Sequence, residues 1–262
     1  MKIAMFGHKR IPSREGGVEI VVEELASRMV KTGNEVTCFN RNGKGCVSQK
    51  YGKRYNFNGI EVKTVPTIDK KGMAAVTAAF FSSMLAAFGK YDIVHIHAEG
   101  PAFFCWIPKL FHKKIVVTVH GLDWQREKWK GGFGAKFIRK GEENAVKYAD
   151  EIIVLSKNVE QYFKTRYNRI TRFIPNGVNR PKIRKADRIQ AVYGLEKNGY
   201  ILFLGRLVPE KGIMYLIEAF SKVNTDLKLV IAGGSSDTDE YEKELRMKAE
   251  KDSRILFTGF VE

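Results

Sequence analysis

The sequence predicts an α/β protein built on two doubly wound parallel sheets, each covered by helices. Short apolar segments typical of buried strands alternate with longer segments that have helical periodicity. This alternation stops at residues 175–178 and starts again near residue 200. Several predicted strands end in loops rich in glycine and charged residues, and such sheets bind ligands at that edge.

The strands of the first half are predicted from short apolar runs bounded by glycine or polar residues, the pattern of buried parallel strands. Residues 2–7 form the first of these runs, and Gly7 ends it. The other predicted strands of this half are 35–39, 61–65, 92–96, 115–119, 151–155 and 173–174.

The helices of the first half are predicted from apolar residues at spacings of three and four. Residues 18–31 show the pattern, with Glu23 and Glu24 expected to face outward and Gly33 expected to end the helix. The remaining predicted helices are 73–89, 101–111, 134–148 and 157–167.

The second half repeats the pattern over a shorter length. Its predicted strands are 200–204, 227–232 and 255–258, and its predicted helices are 213–223 and 240–251. We therefore expect a first domain over residues 1–178, a linker over 179–198 and a second domain over 199–262. Three strands are few for an independent domain of about 100–150 residues, so the second domain is expected to be incomplete.

Composition excludes several classes of protein. The chain has 262 residues, of which 44% are apolar, so a disordered protein is excluded. The three cysteines, Cys38, Cys46 and Cys105, form no CxxC pair. A disulfide framework is therefore excluded, a thiolate metal site is disfavoured and a reducing compartment is expected. Gly7 interrupts the opening apolar run too early for a secretory signal peptide, so we expect a cytoplasmic protein.

One apolar segment bears on membrane insertion. Residues 73–89 carry no charge, but at 17 residues they are shorter than the ~20 that a bilayer-spanning helix needs. They are also rich in alanine and serine. We expect a helix buried between the sheet and a neighbouring element, with membrane insertion as the alternative.

The positive charge is concentrated in one half of the chain. The formal net charge is +16, of which residues 1–179 carry +14 and residues 180–262 carry +2. This asymmetry favours an anionic partner for the first half, such as acidic phospholipid, a phosphorylated lipid carrier or nucleic acid. Solubility alone is the competing interpretation.

The loop after the first strand contains Gly16 and Gly17 immediately before a helix. Two glycines there allow backbone N–H groups to approach an anion, and the helix dipole favours negative charge. The dinucleotide pattern GxGxxG and the phosphate-loop pattern GxxxxGK[ST] are both absent from this loop. A simple strand-to-helix turn explains the glycines equally well.

A second charged loop, residues 205–212, follows the predicted strand 200–204. Arg206 offers a planar set of donors and Lys211 a point charge, which together suit a diphosphate. The alternative is a pair of solvated charges, but their position at the expected ligand edge favours function.

Histidines and acids mark two further strand ends. His120 could bond a sugar hydroxyl or act in acid–base chemistry, and Asp123 could accept from sugar hydroxyls. A packed histidine and a capping aspartate are the structural alternative. His95 and His97 should share one strand face, and the loop that begins at His97 is expected to border an acceptor cleft. No third ligand is suggested near them, so a metal site is disfavoured.

Residues 124–140 interleave aromatic and basic side chains. Such a mixture suits a membrane interface and also resembles a nucleic-acid surface. Three glycines interrupt it, so one continuous amphipathic helix is not expected. A core-facing aromatic stripe with a solvated basic face is the alternative. The residues concerned are Trp124, Trp129, Phe133 and Phe137 with Arg126, Lys128, Lys130, Lys136, Arg139 and Lys140.

Taken together, these loops resemble those of retaining glycosyltransferases with the GT-B fold, specifically family 4. The segment 11–19 is most similar to the rhamnosyltransferase-like branch. The matching motifs are REGGVE at 14–19, HGLD at 120–123, IPNGV at 174–178, FLGRLVPEKG at 203–212, LVIAGG at 229–234 and FTGFV at 257–261.

The resemblance implies a nucleotide-diphospho-sugar donor held between two Rossmann-like domains without a metal or other cofactor. Gly16 and Gly17 would approach the donor phosphate or sugar, with Asn176 and Asp123 also at the donor site. Arg206 and Lys211 would neutralise the departing diphosphate in place of a metal. His120 would contact the transferred sugar.

The resemblance also implies that the first domain binds the acceptor, a glycan or a lipid-linked sugar of polysaccharide or cell-envelope biosynthesis. Its positive charge would suit an enzyme peripheral to the inner face of the plasma membrane, whereas nucleic acid is disfavoured. Family members carry an acidic Glu-x7-Glu motif later in the second domain, and the sequence ends at Glu262 before the position where that motif is expected, so this chain is expected to be truncated and impaired. The alternatives are a non-catalytic membrane- or polyanion-binding fragment and a GT-B sugar-nucleotide epimerase.

Overall fold

The structure is a computed structural model that describes residues 1–14, 16–43, 52–70, 72–125, 132–235 and 239–261. The predicted α/β class is confirmed, with one large sheet and one smaller sheet. The chain divides into two compact units, Met1–Val178 and Asn179–Glu262. Cys46 and Glu262 lie outside the described residues.

The first unit contains an eight-stranded sheet in the order β3-β4-β2-β1-β5-β6-β7-β8. All neighbouring strands are parallel except β3 and β4, which are antiparallel. The strands are β1 (Lys2–Phe6), β2 (Glu35–Arg41), β3 (Arg54–Phe57), β4 (Ile60–Val65), β5 (Ile93–His97), β6 (Lys114–Val119), β7 (Glu151–Val154) and β8 (Arg172–Phe173).

Helices connect these strands and cover both faces of the sheet. Alternate residues of β1 show this arrangement, because Ala4 and Phe6 belong to one buried cluster whereas Ile3 and Met5 belong to another. The helices are α1 (Gly17–Lys31), α2 (Met73–Phe88), α3 (Glu99–Ala102), α4 (Trp106–Leu110), α5 (Phe133–Tyr148) and α6 (Lys157–Tyr167), with a 3-10 turn over Asp123–Gln125.

The structure differs from the predicted elements at one helix and at one strand. The helix expected over 101–111 is divided into α3 and α4, because Pro108 has no N–H to donate to the preceding turn. The strand β3, which forms a hairpin with β4, is not among the predicted strands. Its turn is Asn58-Gly59, with φ of 52° and 84°, and an Asn-Gly pair is a strong hairpin signal.

The outward direction predicted for Glu23 is wrong. The buried face of α1 is formed by Glu19, Val22, Glu23 and Ala26, which follow the spacing of three and four. Arg14 Nη2 lies 3.7 Å from Glu23 Oε1 and partly offsets the buried charge. Val22 and Ala26 set which side of α1 faces the core. Glu23 lies on that side by helical spacing and is therefore buried despite its charge.

The expectation of full burial for residues 73–89 is also wrong. The small residues of α2 face the sheet, whereas Phe81, Leu85 and Phe88 are exposed on the opposite side. In the described part of the chain, no helix is both long enough and apolar enough to span a bilayer.

The second unit contains a three-stranded parallel sheet in the order β11-β10-β9. The predicted linker, residues 179–198, includes a short helix in the structure. The elements of this unit are α7 (Asp187–Tyr193), β9 (Tyr200–Leu204), α8 (Ile213–Phe220), β10 (Lys228–Ala232), α9 (Asp239–Ala249) and β11 (Ile255–Gly259), with a 3-10 turn over Pro209–Lys211.

A close contact between α3 and α5 fixes the relative position of the two helices. A Cβ built on Gly141 of α5 would lie 2.0 Å from the carbonyl oxygen of Glu99 on α3. Any side chain at this position would therefore force the two backbones apart.

We expect Gly141→Ala to lower the free energy of unfolding of the first unit by about 1–3 kcal/mol, because the added methyl group overpacks this contact. All three tryptophans lie within residues 1–178, so tryptophan fluorescence during urea unfolding reports on this unit. Gly177→Ala is the matched control, since nothing lies within 4 Å of its Cβ position. Equal stability of the two variants would contradict the predicted overpacking.

Candidate functional site

Four histidines gather at the carboxyl edge of the large sheet. His8 follows β1, His95 and His97 belong to β5, and His120 follows β6. The rings of His95 and His97 are 4.3 Å apart between centroids, which confirms that they share one strand face. His97 Nδ1 lies 3.1 Å from His120 Nε2 and His95 Nε2 lies 2.8 Å from Thr118 Oγ1. The first of these contacts holds the His120 ring in one orientation.

Burial keeps the inner histidines neutral. Burial lowers the pKa of His8 to about 4, and burial together with the nearby His120 lowers the pKa of His95 to about 4. The pKa of His97 is well below its ordinary value, first because the ring is buried and then because His95, His120 and His8 lie near it. The side chain of His97 is fully buried, whereas the expectation that the loop beginning at His97 borders an acceptor cleft stays a prediction.

All four histidines have defined neighbours, but the described residues around them form no metal site. Among the described residues, no group of three or more His, Cys, Asp or Glu side chains has an arrangement that could hold a metal ion. His8 Nε2 instead pairs with Asn40 Oδ1 at 3.0 Å, and the same oxygen accepts from Ile11 N. The cluster can therefore order the loop that follows β1.

A buried carboxyl group supports the loop that carries His120. Glu99 Oε2 accepts from the backbone N–H of Asp123 at 2.8 Å. Burial raises the pKa of Glu99 far above its ordinary range, and the neighbouring Glu142 raises it further. A protonated Glu99 therefore holds the loop of residues 120–123 in place, and the contact is made through the backbone N–H of Asp123.

Glu142 of α5 connects three aromatic side chains. Its Oε1 accepts from Tyr162 OH at 2.8 Å and also from Tyr167 OH, while its Oε2 accepts from Trp124 Nε1 at 3.1 Å. Burial, followed by the hydrogen bond to Glu142, raises the pKa of Tyr162. These contacts fix Trp124 directly after the His120 loop.

Gly16, the N-cap of α1, lies beside an acidic group, whereas Gly17, the first residue of the helix, does not. A Cβ on Gly16 would lie 2.0 Å from Glu19 Oε2, whereas nothing lies within 4 Å of the Cβ position of Gly17. Glu19 Oε1 accepts from the backbone N–H of Lys9 at 2.9 Å. Glu19 lies in the first turn of α1 and makes no capping hydrogen bond to the described residues there, so its carboxylate opposes the positive helix end by charge alone. Glu15, which belongs to the same motif, lies outside the described residues.

Asn176 lies at the same edge of the sheet, in the exposed segment after β8. The strand order places β7 between β6 and β8. The structure therefore brings His120 and Asp123 together through Glu99 and His97, whereas Asn176 is separated from them by the width of two strands.

The second unit presents its two predicted cations on its own carboxyl edge. Arg206 and Lys211 are both exposed after β9, and within the described part of the chain neither side chain has an ion pair or a hydrogen bond. Their backbones are hydrogen-bonded within the loop, since Val208 N donates to Arg206 O and Lys211 N donates to Val208 O. The loop is held by backbone contacts, because Leu207 N donates to Gly234 O at 3.0 Å. Gly233 has φ of 144°, and a Cβ there would lie 1.8 Å from Gly205 O.

The aromatic and basic stretch divides into two parts in the structure. Trp124 is half-buried under Arg139, whose guanidinium carbon lies 4.2 Å from the ring centroid. Phe137 stacks on Phe103 at 4.4 Å, whereas Phe133 is exposed. The middle of the stretch, residues 126–131, lies outside the described residues and includes Arg126, Lys128, Trp129 and Lys130.

Sequence reasoning did not single out His8 or Glu142. The signal for His8 was its place directly after the strand-ending Gly7, the same edge that identified His120. Glu142 lies in a strongly charged helix, and its sequence gives no sign that it is buried among tyrosines from α6.

Family models cover nearly all of the chain. Residues 15–181 match the model of Glycosyltransferase Family 4, and residues 185–262 match that of Glycosyl transferases group 1. An uncharacterised glycosyltransferase of Methanocaldococcus jannaschii is 27% identical over 100% of this chain and 70% of its own length. Alpha-maltose-1-phosphate synthase of Mycobacterium tuberculosis is 23% identical over 94% of this chain and 64% of its own length.

Two solved structures show the same fold. Sucrose-phosphate synthase from Thermosynechococcus elongatus aligns with a TM-score of 0.78 at 20% identity, covering 100% of this chain and 71% of that structure. Anabaena HepE, in complex with UDP and glucose, aligns with a TM-score of 0.75 at 18% identity. The alignment covers 100% of this chain and 70% of that structure.

Because Glu99 is protonated in the folded protein, we expect the free energy of unfolding to fall as pH rises. The unfolded chain releases this proton near the ordinary carboxyl pKa whereas the folded protein retains it, so stability is highest below that pKa and falls as pH rises. Glu99→Gln removes the ionisable group and should make the free energy of unfolding less dependent on pH, by about 1.4 kcal/mol per pH unit between about pH 6 and about pH 8.

Urea unfolding followed by tryptophan fluorescence at the two pH values measures this difference. Glu143→Gln is the matched control. Glu143 follows Glu142 on α5, but its side chain is 42% exposed to solvent. A slope in Glu99→Gln equal to that of the unchanged protein would show that Glu99 is not held protonated.

Proposed function

The chain belongs to Glycosyltransferase Family 4, and from that premise we propose that it transfers a sugar from a nucleotide-diphospho-sugar to a glycan or lipid-linked acceptor. The observation that carries the proposal is the exposed pair Arg206 and Lys211 after β9. The backbone bonds around Gly205 and Gly233 hold this loop, so the two cations are presented at the edge where parallel sheets bind ligands.

In the proposed reaction, Arg206 and Lys211 bind the diphosphate and stabilise the negative charge that develops as it leaves the sugar. Arg206 can donate two parallel hydrogen bonds to phosphate oxygens, and Lys211 adds a compact charge. We propose that these two groups replace a metal ion, and that the sugar is transferred with retention of its anomeric configuration.

The first unit supplies the remaining proposed contacts. His120 would bond a hydroxyl of the transferred sugar, since its ring is held by His97 and its loop by Glu99. Gly16 and Gly17 would allow close approach of the donor, and Asp123 and Asn176 would complete its binding site. Anabaena HepE binds UDP-glucose, which supports a nucleotide-sugar as the donor class here.

The acceptor is proposed to bind the first unit, whose charge suits a phosphorylated or membrane-linked glycan. A role in polysaccharide or cell-envelope biosynthesis, at the inner face of the plasma membrane, is consistent with that charge. The similarity of residues 11–19 to rhamnosyltransferase-like enzymes makes a dTDP-sugar one of the donors to test.

We expect Arg206→Ala and Lys211→Ala each to weaken binding of a nucleotide-diphospho-sugar by about tenfold or more, because each removes a charge-assisted contact to the diphosphate. Calorimetry with UDP-, GDP- and dTDP-sugars first identifies the donor and then compares the variants. Binding of the matching uncharged nucleoside should be unchanged in both variants.

Lys197→Ala is the matched control, because Lys197 is exposed at the opposite end of β9. It should bind the donor as tightly as the unchanged protein. Equal donor affinity in all four proteins would exclude the proposed diphosphate site, as would an equal loss for nucleoside and nucleotide-sugar.

The proposed replacement of a metal by two cations has its own test. Donor affinity in EDTA and in excess Mg²⁺ should agree within about twofold, because Arg206 and Lys211 already supply the neutralising charge. With an accepting glycan, proton NMR of the new linkage should show the anomeric configuration of the donor. A strict Mg²⁺ requirement would refute the proposed role of the cations, and an inverted linkage would refute retention.

A further inference from the structure

The apolar residues of α2 are arranged with the small side chains inside and the large ones outside. The buried positions form pairs at intervals of four residues, Ala78-Ala79, Ser82-Ser83 and Ala86-Ala87. Phe81, Leu85 and Phe88 lie on the outward side, and Phe88 is 67% exposed. The burial of α2 therefore uses its small residues and leaves its main apolar area uncovered.

The exposed residues of α2 continue onto α4. Phe88 contacts Phe111 with ring centroids 4.7 Å apart, and Phe80 contacts Phe104 at 5.5 Å. Leu110, at the end of α4, is 67% exposed. We call this surface the α2–α4 face, and it consists of Phe80, Phe81, Leu85, Phe88, Trp106, Leu110 and Phe111.

Basic residues surround this face. Lys70 precedes α2 and Lys90 follows it, and both are exposed. Lys113 Nζ donates to the carbonyl oxygen of Gly89 at 2.7 Å, which places its charge at the end of α2. Lys136 is exposed on α5, one residue before Phe137, whose ring contacts Phe104.

Acidic groups balance these lysines only in part, because the exposed Asp69 lies next to Lys70 at one end of the face. Between residues 72 and 114 the only acidic residues are Asp92 and Glu99. Glu99 is fully buried, and Asp92 accepts from the backbone N–H of Lys2 at the start of β1. The apolar centre is thus bordered by positive charge, an arrangement that complements an anionic surface with an apolar interior.

We propose that the α2–α4 face docks on a bilayer that contains anionic phospholipid, with its aromatic and aliphatic side chains in the interfacial layer and the surrounding lysines at the headgroups. A helix that lies in the interface needs one apolar face and no spanning length, which fits the absence of any spanning helix among the described residues. Trp106 lies within the face and is 38% exposed, and tryptophan side chains favour the interfacial layer of a bilayer. The inference goes beyond the proposed donor chemistry, which concerns the second unit.

Vesicle flotation tests the proposal with phosphatidylcholine vesicles that contain phosphatidylglycerol, and with vesicles of phosphatidylcholine alone. The unchanged protein should float with the anionic vesicles and much less with the neutral ones. Raising the salt concentration to about 1 M should weaken the binding, because it shortens the Debye length to about 3 Å.

The double variant Phe88→Asp with Leu110→Asp should lower the partition coefficient for anionic vesicles at least about tenfold, since it removes two apolar groups and adds two negative charges. Ile170→Asp is the matched control, because Ile170 is an 85% exposed aliphatic residue of the same unit outside the face. Circular dichroism and donor binding by the double variant show that the fold and the donor site are retained.

A milder substitution gives an independent measurement. Bromine-labelled lipids should quench tryptophan fluorescence in the unchanged protein, and Trp106→Phe should remove most of that quenching. Lys90→Gln with Lys136→Gln should weaken binding to anionic vesicles by several-fold and leave binding to neutral vesicles unchanged.

Three results would overturn the proposal. The first is equal flotation of the double variant and Ile170→Asp, and the second is binding that does not depend on lipid charge. The third is a concentration-dependent dimer in sedimentation that the double variant abolishes, which would assign the face to a second copy of the chain. Donor binding by calorimetry is measured separately, so failure of vesicle binding leaves the proposed function standing.

Discussion

Direct contact between main chains at the ends of strands is the constraint on which both units depend. A Cβ on Gly7, after β1, would lie 2.0 Å from the carbonyl oxygen of His97, and a Cβ on Gly233, after β10, would lie 1.8 Å from that of Gly205. Both glycines have positive φ, so the chain turns sharply over the sheet edge. In the first unit this turn leads directly to His8, and in the second unit the contact holds Gly205, the residue before Arg206, against Gly233.

The two units differ in how they treat those polar residues. In the first unit the groups behind the edge are buried, so the fold favours their neutral forms, as it does for His95 and Glu99. Neutral groups can pack against one another and fix the His120 loop without placing an unpaired charge in the core. In the second unit Arg206 and Lys211 remain exposed and charged. The carboxyl edge of the first sheet therefore has neutral hydrogen-bonding groups behind it, whereas the carboxyl edge of the second sheet carries exposed positive charge.

The strands were predictable from sequence because a parallel sheet buried on both faces leaves a continuous apolar run, as in β6. The positions of Arg206 and His120 at strand ends were predictable for the same reason, since the end of each run was visible. The burial of Glu23 was not, because its charge suggested a solvent-facing position while the apolar spacing of α1 decided its direction. The packing of Glu142 against Tyr162 and Tyr167 joins α5 to α6, and sequence periodicity within one helix does not report such contacts.

The error over α2 has a different physical cause. A helix that is apolar all round gives no periodic signal for which side faces the sheet, so total hydrophobicity predicts burial without a direction. Side-chain size decides instead, because small residues allow close approach of a helix to a sheet and leave no space for phenylalanine between them. The buried pairs of small residues between Ala78 and Ala87 show that α2 packs in this way. Water contact with Phe88 and Leu110 carries a free-energy cost that folding of this unit does not remove, so the arrangement itself argues that something apolar covers the face.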